Sequence, residues 1–365
     1  MKKNISFFYP KKTGYEINLV KKVLDSGNFN DGKLTKLFEN KIKKKINRKY
    51  CICVTSGTIA IYLALKANNV DESHEVIIPC FTYIATANAV KLTGAKVVLA
   101  DVDPNNYTIN YNNFVKKITK KTKAVVTVEV NGLSPEYDKF INICKKKKIT
   151  IITDSTEAFG AKKNNYILGS VGDASCLSFS PSKIISTGQG GIVATNKKNI
   201  YEKIRILKQQ GLKKTGSGGG DKFYNEGYNF KFTDLQAAVG LGQIKYFEKR
   251  KKILRLRNEI YYNLLKNLNY IKLSEYNENK LWFDINITNY KIKKRIELIL
   301  KKNNINFRTF WLPINKHKIY KSNEKFPVTE KISKTGIWLP SNFDITYKQI
   351  KFIVDKIKYT INNFN

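Results

Sequence analysis

Between Val54 and Thr195, short β-branched runs alternate with helix-forming runs, and this alternation restricts the chain more than any other feature. Val76-Ile77-Ile78-Pro79, Val97-Val98-Leu99-Ala100, Val125-Val126-Thr127-Val128 and Ile149-Thr150-Ile151-Ile152-Thr153-Asp154 each read as a strand with no wet face. Val54 to Ala67 passes from strand to helix, and Thr82 to Thr93 and Phe114 to Lys120 read as helices. Strands buried on both faces belong to a mostly parallel sheet, because crossover helices cover it on either side. Cys176-Leu177-Ser178-Phe179 and Gly191-Ile192-Val193-Ala194-Thr195 add strands. Helical patterns run from about Lys11 to Lys45, from Ile200 to Gln209 and from Asp234 to Leu268. The expected fold is α/β, with a large domain over residues 1–245 built on a central, mostly parallel sheet between helices. A smaller α/β domain is expected over 246–365, with strands at Leu281–Ile285 and Asn306–Thr309 and helices at 291–302 and 346–362. At 365 residues the chain is long enough for both.

Composition narrows the function by exclusion. The chain carries 66 Lys+Arg against 29 Asp+Glu, a net charge of +37. An excess of that size suits nucleic acid or an anionic membrane when it is gathered in one place. Here it is spread over helix surfaces beside Asn and Ile, and no nucleic-acid motif accompanies it, so it reads as a bias of the whole chain. The run Lys145–Lys148 reads as a solvated helix end. No apolar run is long enough to span a bilayer. The opening residues have charge but no apolar stretch, so no secretory leader is expected. Cys51, Cys53, Cys80, Cys144 and Cys176 form no Cys-x-x-Cys pair; free thiols in a reducing cytoplasm are expected. His74 and His317 are the only histidines, too few for a histidine-rich metal site.

Three short stretches carry chemistry. In Ser178-Phe179-Ser180-Pro181-Ser182-Lys183-Ile184-Ile185-Ser186-Thr187-Gly188-Gln189-Gly190-Gly191, one lysine stands apart from the charged clusters, among small and apolar neighbours. Burial disfavours an ammonium, and a neutral amine can attack an aldehyde. Asp154 ends its strand, where open α/β sheets bind ligands, 29 residues before Lys183. An acid to pair a pyridinium nitrogen and a lysine amine are the two protein groups that pyridoxal phosphate needs. In Val54-Thr55-Ser56-Gly57-Thr58-Ile59 a strand turns into a helix whose first N–H groups can take a phosphate, with the Thr58 hydroxyl added. Each stretch also has a plain explanation, as a loop lysine, a helix cap or a helix start. Their order along the chain is what favours the chemical reading.

These residues resemble the DegT/DnrJ/StrS family of pyridoxal-phosphate-dependent sugar aminotransferases, within fold-type I. The likeness runs through Ser26-Gly27-Asn28-Phe29-Asn30-Asp31-Gly32 with Phe38-Glu39, Ser56-Gly57-Thr58, Pro79-Cys80-Phe81-Thr82-Tyr83, Asp101-Val102-Asp103 and Asp154-Ser155-Thr156-Glu157-Ala158-Phe159-Gly160. It continues through the Lys183 stretch, Gly227-Tyr228-Asn229-Phe230-Lys231, Asp234-Leu235-Gln236-Ala237-Ala238 and Trp338-Leu339-Pro340-Ser341. The resemblance implies that Lys183 holds the cofactor and Asp154 pairs its ring nitrogen. It further implies that Tyr83 stacks on the ring, that Glu157 lies beside the ring oxygen, and that Gly57, Thr58 and Ser178 take the phosphate. Asn229 would cross to the phosphate of a neighbouring subunit, which implies a homodimer with shared sites. Arg308, Asn315 and Tyr320 would lie around the substrate. The glycine-rich stretch Thr215–Gly220 reads as a loop able to cover it. Gln189, Asn131-Gly132 and Pro313-Ile314-Asn315 depart from the commoner family residues, all in substrate positions. The implied reaction moves an amino group from L-glutamate to the keto group, at C4 in preference to C3, of a nucleotide-linked 4-keto-6-deoxyhexose for surface polysaccharide synthesis. A dehydratase of the same fold would carry histidine in place of Lys183, and a catalytically silent regulator need not keep Asp154, Ser178 and Lys183 together.

Overall fold

The computed structural model describes residues 4–213, 223 and 225–364, so Thr215–Gly220 lies outside the described residues. Two helices open the chain, α1 (Tyr15–Ser26) and α2 (Lys33–Lys45), where the sequence reads as one helical pattern. Gly27, at φ 67°, ends α1 in the left-handed region that a side chain resists. The Asp234 carboxylate then accepts from the backbone N–H groups of Gly32, Leu34 and Thr35 and so caps α2 from outside.

The main layer follows as β1 (Tyr50–Val54), α3 (Gly57–Ala67), β2 (Glu75–Pro79), α4 (Ile84–Leu92), β3 (Lys96–Ala100), α5 (Tyr111–Lys116), β4 (Thr122–Val128), α6 (Tyr137–Lys147) and β5 (Thr150–Asp154). A small hairpin, β6 (Lys162–Lys163) and β7 (Tyr166–Ile167), leads to β8 (Ala174–Ser178), β9 (Gly191–Thr195) and α7 (Lys198–Lys208). The sheet has seven strands in the order β1-β9-β8-β5-β4-β2-β3. Only β9 is antiparallel to its neighbours, so the other six strands end on one edge. Alternation sends Cys51 and Cys53 into one core and Ile52 and Val54 into the other, so the sheet is apolar on both faces.

The helical run expected from Asp234 to Leu268 is two helices, α8 (Asp234–Ile244) and α9 (Phe247–Leu265), broken at Tyr246. Thr233 and Gln236 form a reciprocal capping box at the start of α8. Buried Arg250 on α9 donates to the Ile184 carbonyl at 2.7 Å and ties this helix to the lysine loop. Beyond α9 lie β10 (Ile271–Lys272), β11 (Asp284–Ile287), α10 (Tyr290–Lys302), β12 (Arg308–Thr309), α11 (Pro327–Thr335), β13 (Gly336–Trp338) and α12 (Tyr347–Asn362). The strands form an antiparallel sheet in the order β10-β11-β13-β12. A separate apolar core beneath it joins Tyr261, Ile285, Ile296, Leu300 and Ile353. Ile5 enters that core too and bridges Ile305. The strand expected from Leu281 begins only at Asp284, because the Asn131 side chain takes the Trp282 backbone instead, accepting from Trp282 N at 2.8 Å.

Candidate active site

The edge on which six strands end carries the site. Asp154 is the last residue of β5 and Ser178 the last of β8; Gly57 opens α3 after β1, and Tyr83 precedes α4 after β2. Ser56 caps α3, its hydroxyl accepting from Ile59 N at 3.2 Å. The first N–H groups of that helix have no partner within the helix. Gly57 is packed so closely that a Cβ there would lie 3.0 Å from the Ser178 Cβ and 3.1 Å from Thr156 Cγ2. The glycine therefore keeps open a cradle between a helix start and two hydroxyl-bearing residues, a shape that suits a phosphate.

Lys183 lies in the turn after β8, where its backbone N–H donates to the Ser180 carbonyl at 3.1 Å. Its Nζ is 3.5 Å from Glu157 Oε1 and 5.6 Å from the centre of the Trp282 ring. The two charged side chains are only 11% and 8% exposed. Lys183 has small and apolar neighbours in sequence, but its neighbour in space is a carboxylate. Burial pushes the Glu157 carboxyl above the ordinary range, and the Lys183 cation opposes that rise. Glu157 also accepts from Asn131 N at 3.2 Å, so the Asn131-Gly132 departure falls beside the lysine.

Asp154 is held from two sides. The Thr86 hydroxyl donates to Oδ2 at 2.7 Å and Thr156 N to Oδ1 at 3.2 Å. Thr82 and Thr86 hydroxyls are 2.9 Å apart behind it. A cavity of about 330 Å³ connects these groups, lined by Gly57, Thr58, Tyr83, Asp154, Glu157, Ser178, Lys183 and Arg308 among others. An amine, a strand-end acid, an exposed aromatic face and a glycine-opened cradle around one cavity fit pyridoxal phosphate group by group.

Three expected residues lie elsewhere. Asn229 is exposed, bridges the Gln209 backbone and does not line the cavity of its own chain. Asn315 is buried, accepting from the Cys80 thiol and donating to the Glu324 carbonyl at 3.2 Å. The Tyr320 hydroxyl donates to Asn88 Oδ1 at 2.7 Å and faces a different groove. Both side chains serve local packing within the chain, where the resemblance implies substrate contact. Conversely, Thr86, Thr156, Trp282 and Trp311 enter the site without having been singled out. The four-residue spacing of Thr82 and Thr86 after a strand was a usable signal for the first of these. The two tryptophans come from the far end of the chain and had none.

The sheet order and this cavity define a fold-type I enzyme that uses pyridoxal phosphate. The model of the DegT/DnrJ/EryC1/StrS aminotransferase family matches residues 10–358, and the chain belongs to that family. It is a sugar aminotransferase. It is 35% identical over 268 residues to the GDP-perosamine synthase of Escherichia coli O157:H7, covering 73% of this chain and 72% of that one. The Helicobacter pylori aminotransferase PseC, involved in the biosynthesis of pseudoaminic acid, superposes with a TM-score of 0.91 at 26% identity, covering 99% of this chain and 100% of that one. The E. coli GDP-4-keto-6-deoxy-D-mannose-3-dehydratase has the same fold, with a TM-score of 0.89 at 23% identity over 98% of this chain and 100% of that one. Among the described residues no helix is long and apolar enough to cross a membrane, no group of His, Cys, Asp and Glu could hold a metal, and the five cysteines are free and buried.

Proposed function

We propose that the enzyme transfers the amino group of L-glutamate to the C4 keto group, in preference to C3, of a nucleotide-linked 4-keto-6-deoxyhexose. The product would serve surface polysaccharide synthesis in the cytoplasm. The observation that carries this reading is the 3.5 Å approach of Lys183 Nζ to Glu157 in a cavity that Asp154 and the α3 start also line. The bound cofactor supplies an electron sink for the carbanion left when the Cα proton departs. Lys183 Nζ would tether the cofactor at rest and, once released, would take that proton from Cα as base and deliver it as acid to the cofactor carbon to which Nζ had been joined. Asp154 keeps the ring nitrogen protonated, and Thr86 and Thr156 N aim its two oxygens. Tyr83 offers its exposed ring as a stacking face. Gly57, Thr58 and Ser178 hold the phosphate. Asn229 completes the phosphate site of the neighbouring subunit in a homodimer, which agrees with its exposed position. Glu157, 3.5 Å from Lys183 Nζ, would lie beside the ring oxygen. In this scheme a large domain at 1–245 holds the cofactor, and a small one at 246–365 supplies Arg308 to the acceptor.

The relative named GDP-perosamine synthase supports a nucleotide-linked sugar as acceptor. Lys183 counts against the dehydratase alternative, and the joint presence of Asp154, Ser178 and Lys183 counts against a silent regulator. The test begins by converting the enzyme with L-glutamate to its amino form. The dTDP-, UDP- and GDP-linked 4-keto-6-deoxy sugars are then added while the visible band of the lysine-linked cofactor is followed. One of them is expected to restore it. If none does, while a plain 2-keto acid other than 2-oxoglutarate restores it quickly, the acceptor is an amino-acid precursor and the sugar reading is wrong.

A further inference from the structure

The short turn Val130–Gly132 after β4 carries a residue that reaches two neighbours of the Lys183 amine. Asn131 is buried, with φ 53° and ψ 31°. Asparagine is one of the few residues besides glycine that accept this left-handed backbone. Its N–H donates to Glu157 Oε2 at 3.2 Å, while Glu157 Oε1 lies 3.5 Å from Lys183 Nζ. Its side chain crosses to the segment that leads into β11. Oδ1 accepts from Trp282 N at 2.8 Å, and Nδ2 donates to the Trp282 carbonyl and, at 3.2 Å, to Asp284 Oδ1. Asp284 is fully buried and is held in turn by Ser274 Oγ at 2.6 Å and Lys280 Nζ at 3.0 Å. One donor and two acceptors fix the orientation of the amide, because turning it over would break all three contacts. The clamp takes both backbone groups of Trp282, which lies outside β11 and its ladder. The Trp282 side chain is buried, and its ring centre is 5.6 Å from Lys183 Nζ.

Resting on the reading of Lys183 as the residue that holds the cofactor, we propose that Asn131 is a positioning residue, which keeps the Trp282 indole against the Lys183 nitrogen. An indole face close to a cation favours the charged form of that nitrogen. The same turn holds the carboxylate through the Asn131 N–H, so the spacing between Glu157 and the indole is set by one residue. Asn131 does not itself line the lysine cavity, so it acts through these two neighbours. The other charged or titratable groups that line the cavity are Asp154 at the end of β5, Tyr83 before α4 and Arg308 on β12. Among the described residues no hydrogen bond joins any of them to Asn131.

The test follows the visible band of the holoenzyme against pH in the wild type and three variants. The midpoint of that titration reports the protonation of the nitrogen that joins Lys183 to the cofactor. Asn131→Gly keeps the backbone conformation and the N–H to Glu157 and deletes the clamp on Trp282. It is expected to lower the midpoint by about half a unit to one unit, the size of a desolvated cation–π contact. Trp282→Leu removes the π face, keeps apolar bulk and is expected to lower the midpoint by a similar amount. The double variant is expected to fall no further than Trp282→Leu alone, since both changes remove one contact. Asn131→Ser, whose hydroxyl cannot serve both backbone groups of Trp282, replaces the glycine variant if the latter does not fold. An unmoved midpoint in Asn131→Gly overturns the assignment, even if its Tm falls. So does an unmoved midpoint in Trp282→Leu, or a double variant in which the two shifts add. Borohydride trapping in the wild type checks the underlying reading separately. An adduct on another lysine removes that reading, whereas an adduct on Lys183 with an unmoved midpoint in Asn131→Gly removes only the role of Asn131.

Discussion

Replacing Thr86 by valine keeps the shape of a buried side chain and removes one hydroxyl. That hydroxyl lies 2.7 Å from Asp154 Oδ2 and 2.9 Å from the Thr82 hydroxyl, and both threonines are 1% exposed. Valine leaves Oδ2 of a buried carboxylate without this donor, and the remaining contact from Thr156 N reaches only Oδ1. A hydrogen bond to a charged group contributes about 1.5–3 kcal/mol net, so Thr86→Val is expected to cost about 2 kcal/mol. Thr86→Ser keeps the hydroxyl and loses a methyl, at about 1 kcal/mol. The order wild type, Ser, Val runs against apolar area, which ranks Val above Ser. Each kcal/mol moves Tm by about 2–4 °C at 150–250 residues and by less in longer chains, so valine should melt a few degrees below wild type with serine between. Thermal unfolding of the three proteins with cofactor bound measures this. Glutamate-driven spectral conversion should slow in the valine variant more than in the serine variant, because only valine frees Asp154 to turn. If Thr86→Val is as stable as Thr86→Ser, Thr86 does not hold Asp154 and the account of the acid's orientation is wrong.

Borohydride should bleach the long-wavelength band and fix the cofactor to Lys183; a peptide map with the adduct on Lys162 or Lys197 would refute its role. Mixing inactive Lys183→Ala and Asn229→Ala chains should restore activity, since a mixed dimer holds one site with both residues intact; no recovery after demonstrated subunit exchange would mean Asn229 does not act across the interface. Glu129 is fully buried, Tyr137 donates to one oxygen while the other has no partner among the described residues, and burial pushes its carboxyl up to about 7. Its stabilising contribution is thus complete below about pH 4.5 and is lost as pH rises through about 7. Glu129→Gln should remove that fall and be roughly 3 kcal/mol more stable than wild type at pH 8, with little difference near pH 4.5; urea unfolding that finds the same gap at both values would refute it.

Much of the site was legible because each part is a local event at a strand end. A β-branched run stops at Asp154, another stops at Ser178 shortly before Lys183, and Val54 runs into Ser56-Gly57-Thr58. Once a parallel sheet is inferred, those ends fall on one edge, since βαβ connections leave them no other place. The antiparallel β9 disturbs nothing, because β1 beyond it is reversed again. The break between α1 and α2 was written in Gly27 and Gly32, yet a periodicity count across it reads as one helix. What required tertiary structure was everything that faces Lys183 from a distance. Trp282, Arg308 and Trp311 come from the second sheet and its flanks. Asn315 and Tyr320 are packed away from the cavity, although they sit close to Arg308 in sequence. Periodicity and turn chemistry act over a few residues. The wall that the small sheet presents to the large one depends instead on long-range packing, since Trp282, Phe310 and Trp338 join the same apolar cluster as Phe81 and Phe179, and that packing is governed by side-chain shapes that no local pattern encodes.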